Sequence, residues 1–132
     1  MKIQKMLYSI TVLALCLLPA GCASSALPEG MSEDQVRTVS EQIVSLLDSD
    51  DYSSVEALYD DTMKTALPQG QLKTALSSEL DRLGSFQSFD QESFYGKQGY
   101  AVAVLTCSYD SGKAVFTISL DPDYSLAGLY MK

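Results

Sequence analysis

The sequence predicts an α+β domain in which three N-terminal helices pack on one face of a curved, four-stranded antiparallel sheet. Three observations lead there. Apolar residues recur at helical spacing up to residue 83, the period falls to two after Gly84, and short turns bearing Gly, Asp or Pro part the later runs. Short turns between strands make neighbours antiparallel.

The first helix begins after Ser32, which with Gln35 three places on forms a capping-box pattern, while Glu33 and Asp34 suit the positive end of a helix dipole. Val36, Val39, Ile43, Leu46 and Leu47 then mark one apolar face over residues 32–48. The stretch DSDDYSS breaks that helix. A second, shorter helix carries Val55, Leu58, Tyr59 and Met63 on one face. Pro68 and Gly70 interrupt, and Leu72, Ala75, Leu76, Leu80 and Leu83 mark a third helix that Gly84 stops.

Four strand-like runs follow: SFQSFDQESFY, GYAVAVLTCSYD, KAVFTISLD and YSLAGLYMK. The third alternates most clearly, with Ala114, Phe116, Ile118 and Leu120 on the face meant for the helices. The second is apolar on both sides. Ala101, Ala103, Leu105 and Cys107 share one face, and Val102 and Val104 share the other, which helices on a single face leave uncovered. Val102 and Val104 are therefore a candidate face for a homodimer, with strong sheet curvature as the alternative cover.

Upstream, Lys2 and Lys5 precede an uncharged apolar run from Met6 to Ala20 and then small residues, the three-part layout of a secretory signal. The run is shorter than the roughly 20 apolar residues that span a bilayer. Ala20, Gly21 and Cys22 resemble the end of a bacterial lipoprotein signal, whose cysteine is diacylated. Pro19 departs from that pattern, which has a branched aliphatic residue three places before the cysteine; Leu18 sits one place too early. The expected organisation is a signal peptide over 1–22 ending at the Cys22 lipidation site, a short linker over 23–31 and a single domain over 32–132. The protein then works outside the cytoplasm, held to the membrane by lipid; ordinary cleavage near Ala23 and release is the alternative.

Without the leader, seven basic residues face seventeen acidic ones, a net charge of about −10. Such a surface repels phosphate backbones, so no nucleic-acid partner is expected, and membrane contact falls to the lipid. Only Cys107 remains in the domain, so core burial rather than a disulfide must stabilise it. In its apolar strand, and with no histidine in the chain, Cys107 reads as a small buried hydrophobe.

Helices followed by a four-strand meander resemble the cone-shaped superfamily of nuclear transport factor two and ketosteroid isomerase, with its cystatin-like cone. The marks are Asp51 and Tyr52 between helices, then Tyr59, Asp60, Met63 and Lys64, then Gly84 before Phe86, and a closing Leu126, Ala127, Gly128 and Leu129. More narrowly they look like the domain-of-unknown-function branch found in Gram-positive lipoproteins. The resemblance covers residues 32–131, and its motifs are structural. It implies a binding site between the concave sheet face and the helices, so Tyr59, Met63, Leu105, Cys107 and Phe116 are the candidate pocket. The superfamily's enzymes use an inward Asp or His as base; no Asp here matches that position, and no catalytic residue carries over.

The acidic DSDD stretch does not make a calcium loop. Such a loop wants an acid or amide where Tyr52 stands, Gly where Ser53 stands and Glu where Tyr59 stands. Asp51 or Ser53 instead suits the cap of the next helix. No metal site and no cofactor is expected. The favoured function is a non-enzymatic, membrane-anchored domain that binds a small apolar ligand, an envelope component or a second copy of itself. The alternative is an isomerase-like or hydrolase-like enzyme using Asp60 or Asp61 with a tyrosine, which needs one of those carboxylates inside a closed apolar pocket.

Overall fold

The computed structural model describes residues 26–132, so the expected signal segment and the expected lipidation site at Cys22 lie outside the described residues. Four helices precede four strands: α1 (Glu33–Asp48), α2 (Tyr52–Glu56), α3 (Asp61–Ala66), α4 (Gln71–Leu83), β1 (Phe86–Lys97), β2 (Tyr100–Tyr109), β3 (Gly112–Leu120) and β4 (Leu126–Met131). The strands form one antiparallel meander in chain order. The α+β class is as the sequence predicts.

The first three helices start where side chains can satisfy their free N–H groups, whereas α4 starts at Gly70 without a side-chain cap. Ser32 Oγ accepts from Gln35 N at 3.2 Å, Asp51 from Ser54 N at 3.2 Å and Asp60 from Met63 N at 2.8 Å. Here the structure departs from the expected single second helix. Asp60 starts a new helix, and between α2 and α3 the chain turns at Ala57 and Leu58 and then bridges β4 at Tyr59. There the Leu126 N–H donates to Leu58 O at 2.6 Å, and the Asp60 N–H donates to Leu126 O at 2.9 Å. A helical path through Tyr59 would forfeit both bonds to the sheet.

α4 ends at Gly84, whose φ of +83° favours glycine. Beyond it, the β2–β3 turn folds back on the junction: Asp110 N donates to Ser85 O and Ser111 N to Leu83 O. The β1–β2 hairpin closes through Gln98 and Gly99, both at positive φ, the pairing a two-residue turn requires. β1 carries two register shifts, on either side of Phe89, and such bulges bend a strand.

One core lies between helices and sheet. Val36, Ile43, Val44 and Leu47 of α1 meet Leu105, Phe116, Ile118, Leu120 and Leu126, all at most 2% exposed. Leu27 and Met31, within the expected linker, are half-buried against the same core, and a Cβ at Gly96 would lie 2.2 Å from Ala26 O. The chain is thus already packed on the domain ahead of α1.

Candidate functional site

The five candidate pocket residues do come together. Tyr59, Met63, Leu105, Cys107 and Phe116 all belong to the one buried cluster, the last three with no exposure. Burial pushes the Cys107 thiol up to about 12, as expected for a packed thiol rather than a nucleophile. Burial likewise pushes the Tyr59 phenol up to about 12, and its hydroxyl has no hydrogen-bond partner among the described residues.

The outer face of the sheet is the opposite case. Register places Tyr95, Val102, Ser119 and Gly128 in one cross-strand row and Ser93, Val104, Thr117 and Tyr130 in the next. Val102 is only 4% exposed within its row, whereas Val104 is half-buried and Tyr130 is 63% exposed. The second row is an open strip with apolar and hydroxyl-bearing side chains. None of the four described helices covers it, because their buried side chains pack on the sheet's other face.

Of the carboxylates considered for acid–base work, Asp61 is fully in solvent and Asp60 is committed to capping α3. The Asp–Tyr pair that the fold does make is another one. The Tyr109 hydroxyl donates to Asp48 Oδ1 at 2.8 Å, joining the last residue of β2 to the last residue of α1. Asp48 reaches the surface, yet its surroundings strip water from the carboxylate. That desolvation outweighs the Tyr109 hydrogen bond and raises its pKa. The pair was invisible in the sequence, being 61 residues apart.

Asp48 stands at the edge of a pocket of about 210 Å³. Leu47, Asp48 and Asp50 line it from the end of α1, Tyr52 from the start of α2, and Leu80, Asp81 and Gly84 from the end of α4. Tyr52 is 6% exposed. Burial and the charges of Asp50, Asp81 and Asp48 all raise its phenol pKa. A second charged cluster binds α1 to β1. Arg37 Nε donates to Glu92 Oε2 at 3.0 Å and its guanidinium lies 4.7 Å from the Phe94 ring centroid, while contact with Glu92 raises the pKa of Glu41. Among the described residues no group of three acidic, His or Cys side chains is disposed to hold a metal, and no helix is long and apolar enough to cross a membrane.

A family model described as a protein of unknown function, DUF3887, matches residues 40–129. Among solved structures the chain is similar to an NMR structure of a protein from Ruminococcus gnavus ATCC 29149. The identity is 21% and the TM-score 0.66, over 82% of this chain and 97% of that one. At that identity the likeness shows the fold and nothing of the activity. No curated protein matches the sequence.

Proposed function

The chain belongs to the DUF3887 family of proteins of unknown function, and from that premise we propose a lipid-anchored, extracytoplasmic and non-enzymatic domain of the cone-shaped superfamily, which works by docking the outer face of its sheet on a second copy of itself. The observation that carries this reading is the strip of Ser93, Val104, Thr117 and Tyr130, whose largest side chain is 63% exposed. Aromatic residues concentrate at interface centres, and an uncharged row across three strand pairings offers a self-complementary two-fold surface. On the other side of the sheet the candidate pocket residues are packed together in the core, which favours the outer face over an internal apolar ligand.

Sedimentation velocity over a range of concentrations tests the docking. A reversible dimer that Val104→Asp abolishes supports the reading, and a monomer at every concentration rejects it. Address is tested separately by cell fractionation, in which Cys22→Ser should move the protein out of the membrane fraction. An unaltered protein already found in the medium would reject the anchor and leave the docking reading standing.

A further inference from the structure

The segment ahead of α1 is fixed to one end of the domain. Leu27 and Met31 pack on the core, Met31 N donates to Pro28 O at 3.1 Å, and Ser32 N donates to the Tyr124 hydroxyl at 3.0 Å. At its start the segment lies so close to β1 that a Cβ at Gly96 would stand 2.2 Å from Ala26 O. Glycine is what lets the two backbones meet there.

Gly96 adjoins the tip of the β1–β2 hairpin, which Lys97, Gln98, Gly99 and Tyr100 form. Ala101 pairs with Leu120, so the β3–β4 turn lies at the same end, and Tyr124 in that turn holds the start of α1 beside it. The opposite end carries the β2–β3 turn and, through the Tyr109–Asp48 hydrogen bond, the end of α1. The ten residues of β2 set the two ends about 30 Å apart.

We propose that the hairpin end, with Lys97 and Tyr100 at its tip, is the face this domain lays against the headgroups of a lipid bilayer. The inference rests on the Cys22 anchor proposed above. Only residues 23–25 separate Cys22 from Ala26, and four steps of chain reach at most about 14 Å. An acylated Cys22 lies at the bilayer surface, so the docked segment holds the nearby hairpin tip there and keeps the β2–β3 turn away. Tyr100, 39% exposed, offers a ring and hydroxyl suited to the headgroup layer, and Lys97 an ammonium for lipid phosphate. Glu29, Glu33, Asp34, Asp121 and Asp123 are at the same end, so the tether and not charge imposes the contact. In this pose the strip of Val104 and Tyr130 faces sideways, clear of the bilayer and open to a neighbouring copy.

The test uses the full-length lipidated protein in phosphatidylcholine vesicles containing a headgroup spin-labelled lipid. A fluorophore is attached to Lys97→Cys at the hairpin tip or to Ser111→Cys in the β2–β3 turn, both exposed positions, while the buried Cys107 stays unlabelled. Loss of most of the fluorescence at 97 and none at 111 is expected. Adding Gly96→Ala should restore the signal at 97, because the new methyl pushes Ala26 off β1 and lengthens the tether. Equal quenching at both positions, stronger quenching at 111, or no recovery in a folded Gly96→Ala protein would each overturn the proposal and leave the anchor standing. Should Gly96→Ala fail to fold, the comparison of 97 with 111 decides alone. Protein that does not float with the vesicles would reject the anchor itself, and this proposal with it.

Discussion

The Tyr109 hydroxyl donates to Asp48 Oδ1 across 2.8 Å and so ties the end of β2 to the end of α1, two elements that share no sequence proximity. Tyr59 is the contrasting phenol, equally buried and without a partner. Removing each hydroxyl should therefore have opposite consequences. Tyr109→Phe should cost about 1 kcal/mol, because Asp48 loses a donor that water only partly replaces. Tyr59→Phe should be neutral or stabilise by up to about 1 kcal/mol, because it deletes a buried polar atom that pairs with nothing. Urea midpoints at a constant m value measure both, and equal destabilisation by the two changes would contradict the assignment.

Asp90 should make stability depend on acid pH. It sits at the second register shift of β1, where its carboxylate accepts from the Ser108 hydroxyl, from Lys113 Nζ at 2.9 Å and from Ser88 Oγ at 2.7 Å. These donors hold its carboxyl well below the usual carboxylate range. A folded pKa below the unfolded one stabilises the native state above about pH 4 and loses that stabilisation as the pH falls further. Asp90→Asn should accordingly be less stable than the unaltered protein at pH 7, with the gap narrowing at pH 3. A gap that widens on acidification would reverse the sign.

Gly84 should resist substitution more than Gly99 does. Both have positive φ, at +83° and +86°, so alanine is strained at either. Only at Gly84 would the added Cβ also lie 3.0 Å from Asp110 Cβ and Oδ2, the carboxylate that accepts from Ser85 N. Gly84→Ala should lower the melting temperature by several degrees more than Gly99→Ala, an excess of about 1 kcal/mol in a domain of this size. Equal melting temperatures would show that Asp110 yields freely.

Cys107 should be inert in the native state. It is fully buried with its thiol pushed up to about 12, so almost no thiolate exists at pH 8 and no reagent reaches it. In a preparation carrying Cys16→Ser and Cys22→Ser, an aromatic disulfide reagent should label the folded protein over hours and the protein in 6 M guanidinium within minutes. Rapid stoichiometric labelling of the folded form would mean that β2 opens locally.

Much of the architecture was written along the chain. The apolar period of Val36, Ile43 and Leu47, the cap at Ser32, the stop at Gly84 and the alternation of Ala114, Phe116, Ile118 and Leu120 are local signals, and each stands where those signals put it. Local signals report on neighbours within a turn or a strand pair, which is why they name elements and faces.

What they do not carry is any interaction between residues far apart. The second helix divides because Leu126, more than 60 residues later, offers its backbone to Leu58 and Asp60. Val102 is covered while Val104 stays partly open only through the register that sets each row. The acidic pocket exists only because the ends of α1 and α4 converge, bringing Asp48, Tyr52 and Asp81 round one hollow and Tyr109 behind it. The sequence by itself determined helices first, sheet after, and which faces are apolar, since burial of a periodic apolar face is a local demand. Tertiary structure alone decided which polar groups meet and which buried hydroxyls, those of Ser40 and Tyr59 among the described residues, are left without a partner, since those depend on how the faces are brought together in space.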